Sequence, residues 1–105
     1  MIEVCSTGDV PPGEGRAATV DGRRIAIFQA DGGWFALDDE CPHRGGPLSD
    51  GILADSCVVC PLHDRRFALA DGAPLSDGGG VAAHRIEVRA GMVWVELAES
   101  LATAA

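Results

Sequence analysis

Two short segments constrain this chain more than any other feature: Cys41-Pro42-His43 and, after sixteen intervening residues, Cys60-Pro61-Leu62-His63. Each supplies one thiol and one imidazole. Pro42, Gly45, Gly46 and Pro47 surround the first pair, and Pro61 lies inside the second. Such residues suit rigid turns and close backbone approach. A fold that carries both segments must therefore present two tips to each other. Two donor sets of this kind can close a Cys₂His₂ zinc site. They can equally grip a [2Fe–2S] cluster, with both Cys on one iron and both His on the other. Finger-type zinc ligands sit on a helix, and no helix is predicted here, so the iron–sulfur reading is favoured.

Around the tips the chain reads as short strands. Turn signals recur every eight to twelve residues, the rhythm of an all-β barrel or sandwich. Ile2–Cys5 is predicted as an edge strand, followed by a Pro/Gly loop from Gly8 to Gly15. Asp21-Gly22 marks a hairpin between Ala17–Val20 and Arg24–Gln29. Asp31-Gly32-Gly33 turns the chain into Trp34–Asp38. Ile52–Leu53 and Cys57–Cys60 are short strands, and Ala90-Gly91 joins Arg85–Arg89 to Met92–Leu97. In the last of these, Val93, Val95 and Leu97 share one face and Trp94 and Glu96 the other. Asp77–Gly80 reads as a flexible loop. The segments Asp39–Ser49 and Pro61–Arg66 break the rhythm and read as two hairpin tips.

A length of 105 residues predicts one domain, with a cluster-binding part at about 39–67 and a loose tail at about 99–105. The hydrophobic fraction of 47% argues for a folded globule. No apolar run is long enough to span a membrane. Met1-Ile2-Glu3-Val4-Cys5 lacks the features of a signal peptide, which predicts a cytoplasmic protein. In that compartment four cysteines point to metal or redox work. A net charge of −8 argues against nucleic-acid binding and for steering onto a basic partner face.

Between Trp34 and about Leu97 the chain resembles the Rieske [2Fe–2S] family, and its first 33 residues match only loosely. The resemblance implies an antiparallel Rieske-type β-sandwich or barrel with a small two-loop cluster-binding subdomain. It implies that Cys41 and Cys60 bind the buried iron, and His43 and His63 the outer iron, of one cluster. Asp64 departs from the family pattern, which has Gly there; Asp tolerates the left-handed region better than most residues. Respiratory members carry a disulfide at the positions of Gly46 and Leu62, and hydrogen-bonding Ser and Tyr at those of Arg65 and Phe67. Without those donors to sulfur, the resemblance implies a potential in the lower Rieske range.

The resemblance thus implies a ferredoxin-like electron carrier rather than a catalyst on its own. The strings Arg23-Arg24-Ile25-Ala26-Ile27-Phe28 and His43-Arg44-Gly45-Gly46-Pro47-Leu48 look most like the small subunit of assimilatory NAD(P)H nitrite reductase. A free-standing ferredoxin serving a reductase and a Rieske oxygenase is the alternative. A cluster-less structural subunit is disfavoured, because all four ligands are retained. Arg44, Arg65 and Arg66 form a candidate positive rim for a docked oxidoreductase. Cys57 and Cys60 make a C-x-x-C, but residues i and i+3 of a strand face opposite ways. Cys57 and Cys5 are therefore expected as small core residues, and His84 as a surface histidine.

Overall fold

The computed structural model describes residues 1–30, 32–41, 46–54, 56–62, 65–75 and 79–98. At Asp21-Gly22 both residues take positive φ, 51° and 76°, the type I′ geometry whose twist matches paired strands. That turn folds β2 (Glu14–Val20) onto β3 (Arg23–Ala30), and β4 (Gly33–Asp38) pairs with the other side of β3. Ala90-Gly91 repeats the device, with φ 50° and 78°, between β8 (Ala83–Arg89) and β9 (Met92–Glu96). The edge strand β1 (Ile2–Ser6) adds to β9.

The result is a six-stranded antiparallel sheet in the order β1-β9-β8-β4-β3-β2. It coils until its two edges, β1 and β2, approach one another. A second sheet of three short strands, β5 (Ile52–Ala54), β6 (Cys57–Val59) and β7 (Arg66–Ala68), shares a core with it through Val58 and Phe67. No α-helix occurs among the described residues; the helical elements are single 3₁₀ turns at Thr7–Asp9 and Leu48–Asp50. The all-β antiparallel expectation therefore holds.

Two cores result. One joins Val10, Val20, Ile25, Ile27, Ala36, Val93 and Val95 inside the large sheet. The other joins Phe28, Leu37, Leu48, Val58, Phe67 and Leu69 with Cys41 and Cys60, between the sheets. Alternation in β9 is as expected: Val93 and Val95 are fully buried, while Trp94 faces outward beneath the Arg89 guanidinium, 5.7 Å from the ring centroid.

Some expectations need correction. β2 starts at Glu14, because Gly15 and Arg16 pair with Phe28 and Ile27. β7 was not expected; its pairing with β6 makes a strand of Arg66–Ala68. His84 is buried, not a surface residue. It lies in β8, where its Nε2 meets Asp38 Oδ1 at 2.9 Å and its Nδ1 accepts the Ala98 N–H at 3.0 Å. The accepted bond makes Nε2 the protonated nitrogen, so neutral His84 donates to Asp38. Arg23 completes the group, donating to both Asp38 oxygens and to the Ala98 carbonyl. Cys57 is buried, its thiol donating to the Ala54 carbonyl at 2.8 Å, and half-buried Cys5 packs against the first core. The 99–105 tail and much of the 77–80 loop lie outside the described residues.

Candidate metal centre

Each tip is pinched shut by the same main-chain bond. The Cys41 N–H donates to the Gly46 carbonyl at 2.9 Å, and the Cys60 N–H donates to the Arg65 carbonyl at 2.7 Å. The spacing is identical in both. Behind the first pair stand the bridge Glu40↔Pro47 and the bond from Leu48 N–H to the Asp39 carbonyl. Behind the second stands the β6–β7 ladder, Val59 facing Arg66 and Val58 facing Phe67.

The two tips meet. A Cβ placed on Gly46 would lie 2.8 Å from Leu62 Cδ1 and 3.2 Å from Cys60 Sγ. Only a residue without a side chain allows the first tip this close to the second. Cys41 and Cys60 sit at the base of the tips, each 1% exposed. Leu62 and Pro61 are exposed beside them, as is Arg66, while Arg65 is half-buried.

Of the four residues singled out by the sequence, the structure brings Cys41 and Cys60 to one buried region. His43 and His63 lie outside the described residues, as do Arg44 and Asp64. In sequence, His43 falls between Cys41 and Gly46, and His63 between Cys60 and Arg65. Each pinched segment therefore has one histidine in its sequence and one buried cysteine at its start. Two sheltered sulfur donors, and a contact that excludes a side chain next to one of them, fit a cluster gripped from two loops. The two segments that the sequence reads as tips brought together are in contact at Gly46 and Leu62.

Asp39 was missed by the sequence reading. It is 1% exposed, and it accepts the Ser49 N–H on Oδ1 and the Arg24 Nε–H on Oδ2, each at 2.7 Å. The signal available was the repeated dipeptide, Arg23-Arg24 on β3 and Asp38-Asp39 at the end of β4. Read together, these are two ion pairs across neighbouring strands.

Comparison with known proteins agrees with this architecture. A family model for the Rieske-like [2Fe–2S] domain matches residues 1–96. The biphenyl dioxygenase ferredoxin subunit of Pseudomonas sp. (strain KKS102) is 41% identical over 69% of this chain and 67% of its own length. The solution structure of the nitrite reductase [NAD(P)H] small subunit from Erwinia carotovora superposes with a TM-score of 0.78 at 34% identity, covering 94% of this chain and 82% of that one. The ferredoxin of carbazole 1,9a-dioxygenase from Nocardioides aromaticivorans IC177 gives a TM-score of 0.83 at 26% identity, covering 90% and 94%. No helix among the described residues is long and apolar enough to cross a membrane. Matched along nearly its whole length in sequence and in fold, the chain belongs to the Rieske-like [2Fe–2S] family, as a ferredoxin-like electron carrier with a cluster of that type.

Proposed function

We propose that this chain ferries single electrons to a partner oxidoreductase on a cluster held by Cys41, His43, Cys60 and His63, within one domain whose cluster-binding part is about 39–67. The observation that carries the ligand assignment is the matched pinch of the two tips, Cys41 to Gly46 and Cys60 to Arg65, over two buried sulfurs. When bound, the cluster supplies one-electron Fe(III)/Fe(II) chemistry. Cys41 and Cys60 keep water from the sulfur side. Leu62 and Pro61 offer an apolar rim, and Arg65 and Arg66 add positive charge to a protein of net charge −8. That rim orients the docked partner, while the acidic remainder steers the approach.

Protein purified without air should contain two irons and two acid-labile sulfides per chain. Cys41→Ala and Cys60→Ala should each abolish the visible absorption. A colourless protein that holds one zinc ion sinks the assignment.

For the partner, the motif strings and the Erwinia structure support a nitrite reductase large subunit. The 41% identity to a dioxygenase ferredoxin supports an oxygenase and its reductase as the second reading. Mixing the reduced protein with each type of acceptor decides between them. The true partner reoxidises it rapidly, and the rate should drop as salt rises.

A further inference from the structure

The two tips share one pinch yet stand on different supports. The second is the end of a strand pair inside a three-stranded sheet: Cys57, Val58 and Val59 face Ala68, Phe67 and Arg66. The first has the single bridge Glu40↔Pro47 and the bond from Leu48 N–H to the Asp39 carbonyl. At Leu48 the chain leaves extended geometry for the 3₁₀ turn Leu48–Asp50, so the ladder ends there. Amides in the first turn of a helix require an acceptor from outside it. Pro47, at the cap position, supplies no side-chain bond.

Asp39 supplies the acceptor from across the loop. Its Oδ1 takes the Ser49 N–H, and its Oδ2 takes the Arg24 Nε–H. Its own N–H donates to the Arg24 carbonyl at 3.2 Å, and its carbonyl takes the Leu48 N–H at 2.6 Å. A carboxylate this deeply buried is costly unless both oxygens are bonded, and charge-assisted bonds are the strong ones. Asp39 stands two residues before Cys41, so it ties together the strand that delivers that cysteine and the turn that follows Gly46.

We propose that Asp39 is the positioning residue of the first ligand loop, its carboxylate replacing the missing ladder and Arg24 holding that carboxylate in place. The proposal rests on the ligand assignment above. Asp39 acts through Cys41 and His43 and is not itself a ligand.

The test uses holoprotein loaded anaerobically, with two readouts: the rate of iron release to a chelator and the EPR spectrum of the reduced cluster. Asp39→Asn keeps the shape but has one acceptor oxygen, so either the Ser49 N–H or the Arg24 guanidinium meets an NH₂ group. Release should quicken roughly tenfold or more, the scale of a lost charge-assisted bond, and the EPR lines should broaden. Pairing Asp39→Asn with Arg24→Gln lets one amide face another, with the Asn carbonyl turned to Ser49 and its NH₂ to the Gln carbonyl. Release should then return towards the wild-type rate. Val95→Ala, in the core remote from the tips, should lower thermal stability and leave both readouts unchanged.

Wild-type release and spectrum in Asp39→Asn would overturn the proposal. So would a Val95→Ala protein that matched Asp39→Asn in both, since the effect would then be general loosening. Should Asp39→Ala fail to fold, Asp39→Asn still decides the matter. A wild-type protein without iron is a separate failure, that of the ligand assignment itself.

Discussion

Gly46 and Leu62 are pressed against each other where the two tips meet: a Cβ on Gly46 would stand 2.8 Å from Leu62 Cδ1 and 3.2 Å from Cys60 Sγ. Gly46→Ala must therefore push the tips apart, and overpacking of this kind costs about 1–3 kcal/mol. Iron content and visible absorption per chain should fall. Leu62→Ala in the same protein removes the closer clash and should restore part of the iron. Unchanged iron content in Gly46→Ala would show that the tips can separate freely.

Cys57 shares a C-x-x-C with Cys60 but not its task. Its thiol is buried and bonded to the Ala54 carbonyl. Cys57→Ala should keep a full complement of iron and lose about 1 kcal/mol of stability in denaturant titration. Loss of colour would make Cys57 a ligand.

His84 predicts how stability depends on pH. Burial pushes its pKa below the ordinary 6.5, a shift that its bond to Asp38 opposes in part. The folded protein thus keeps His84 neutral where the unfolded chain binds a proton. The stability that follows is complete above pH 6.5 and is lost progressively as pH falls below it. Protonation would also place a donor against the Ala98 N–H, which Nδ1 accepts in the native state. Replacing His84 with Gln should flatten thermal stability between pH 7 and pH 5; an equally steep decline in that variant would clear His84 of the effect.

Ala90 occupies the left-handed region at φ 50°, followed by Gly91 at 78°. An alanine there is strained by about 1 kcal/mol, whereas Asn visits the region readily and Asn-Gly is the preferred type I′ pair. Ala90→Asn should raise the melting temperature without altering the visible spectrum. A lower melting temperature would mean that the turn is not held as described.

Much of the barrel was legible because its signals are local. Asp21-Gly22 announced its hairpin, and the alternation of Val93, Trp94 and Val95 announced which face is inward. Cys41 and Cys60 stood out for the same reason, each lying within three residues of a histidine. What escaped was non-local. His84 reads as an isolated polar residue until β8 places it against Asp38, 46 positions away. Arg66–Ala68 carries too little apolar pattern to declare itself, and it is a strand because β6 offers a partner. Asp39 reads as loop polarity until Ser49, ten positions later, returns to it.

The separation of the two cores has a consequence for how the protein is made. Val10, Val20, Ile25, Ile27, Ala36, Val93 and Val95 pack together without either tip cysteine, so half of the interior can consolidate before any iron arrives. Cys41 and Cys60 belong to the other half, with Phe67 and Leu48. Protein stripped of iron should therefore keep the first core as a folded scaffold, with the loss of order falling on the core that holds Cys41 and Cys60.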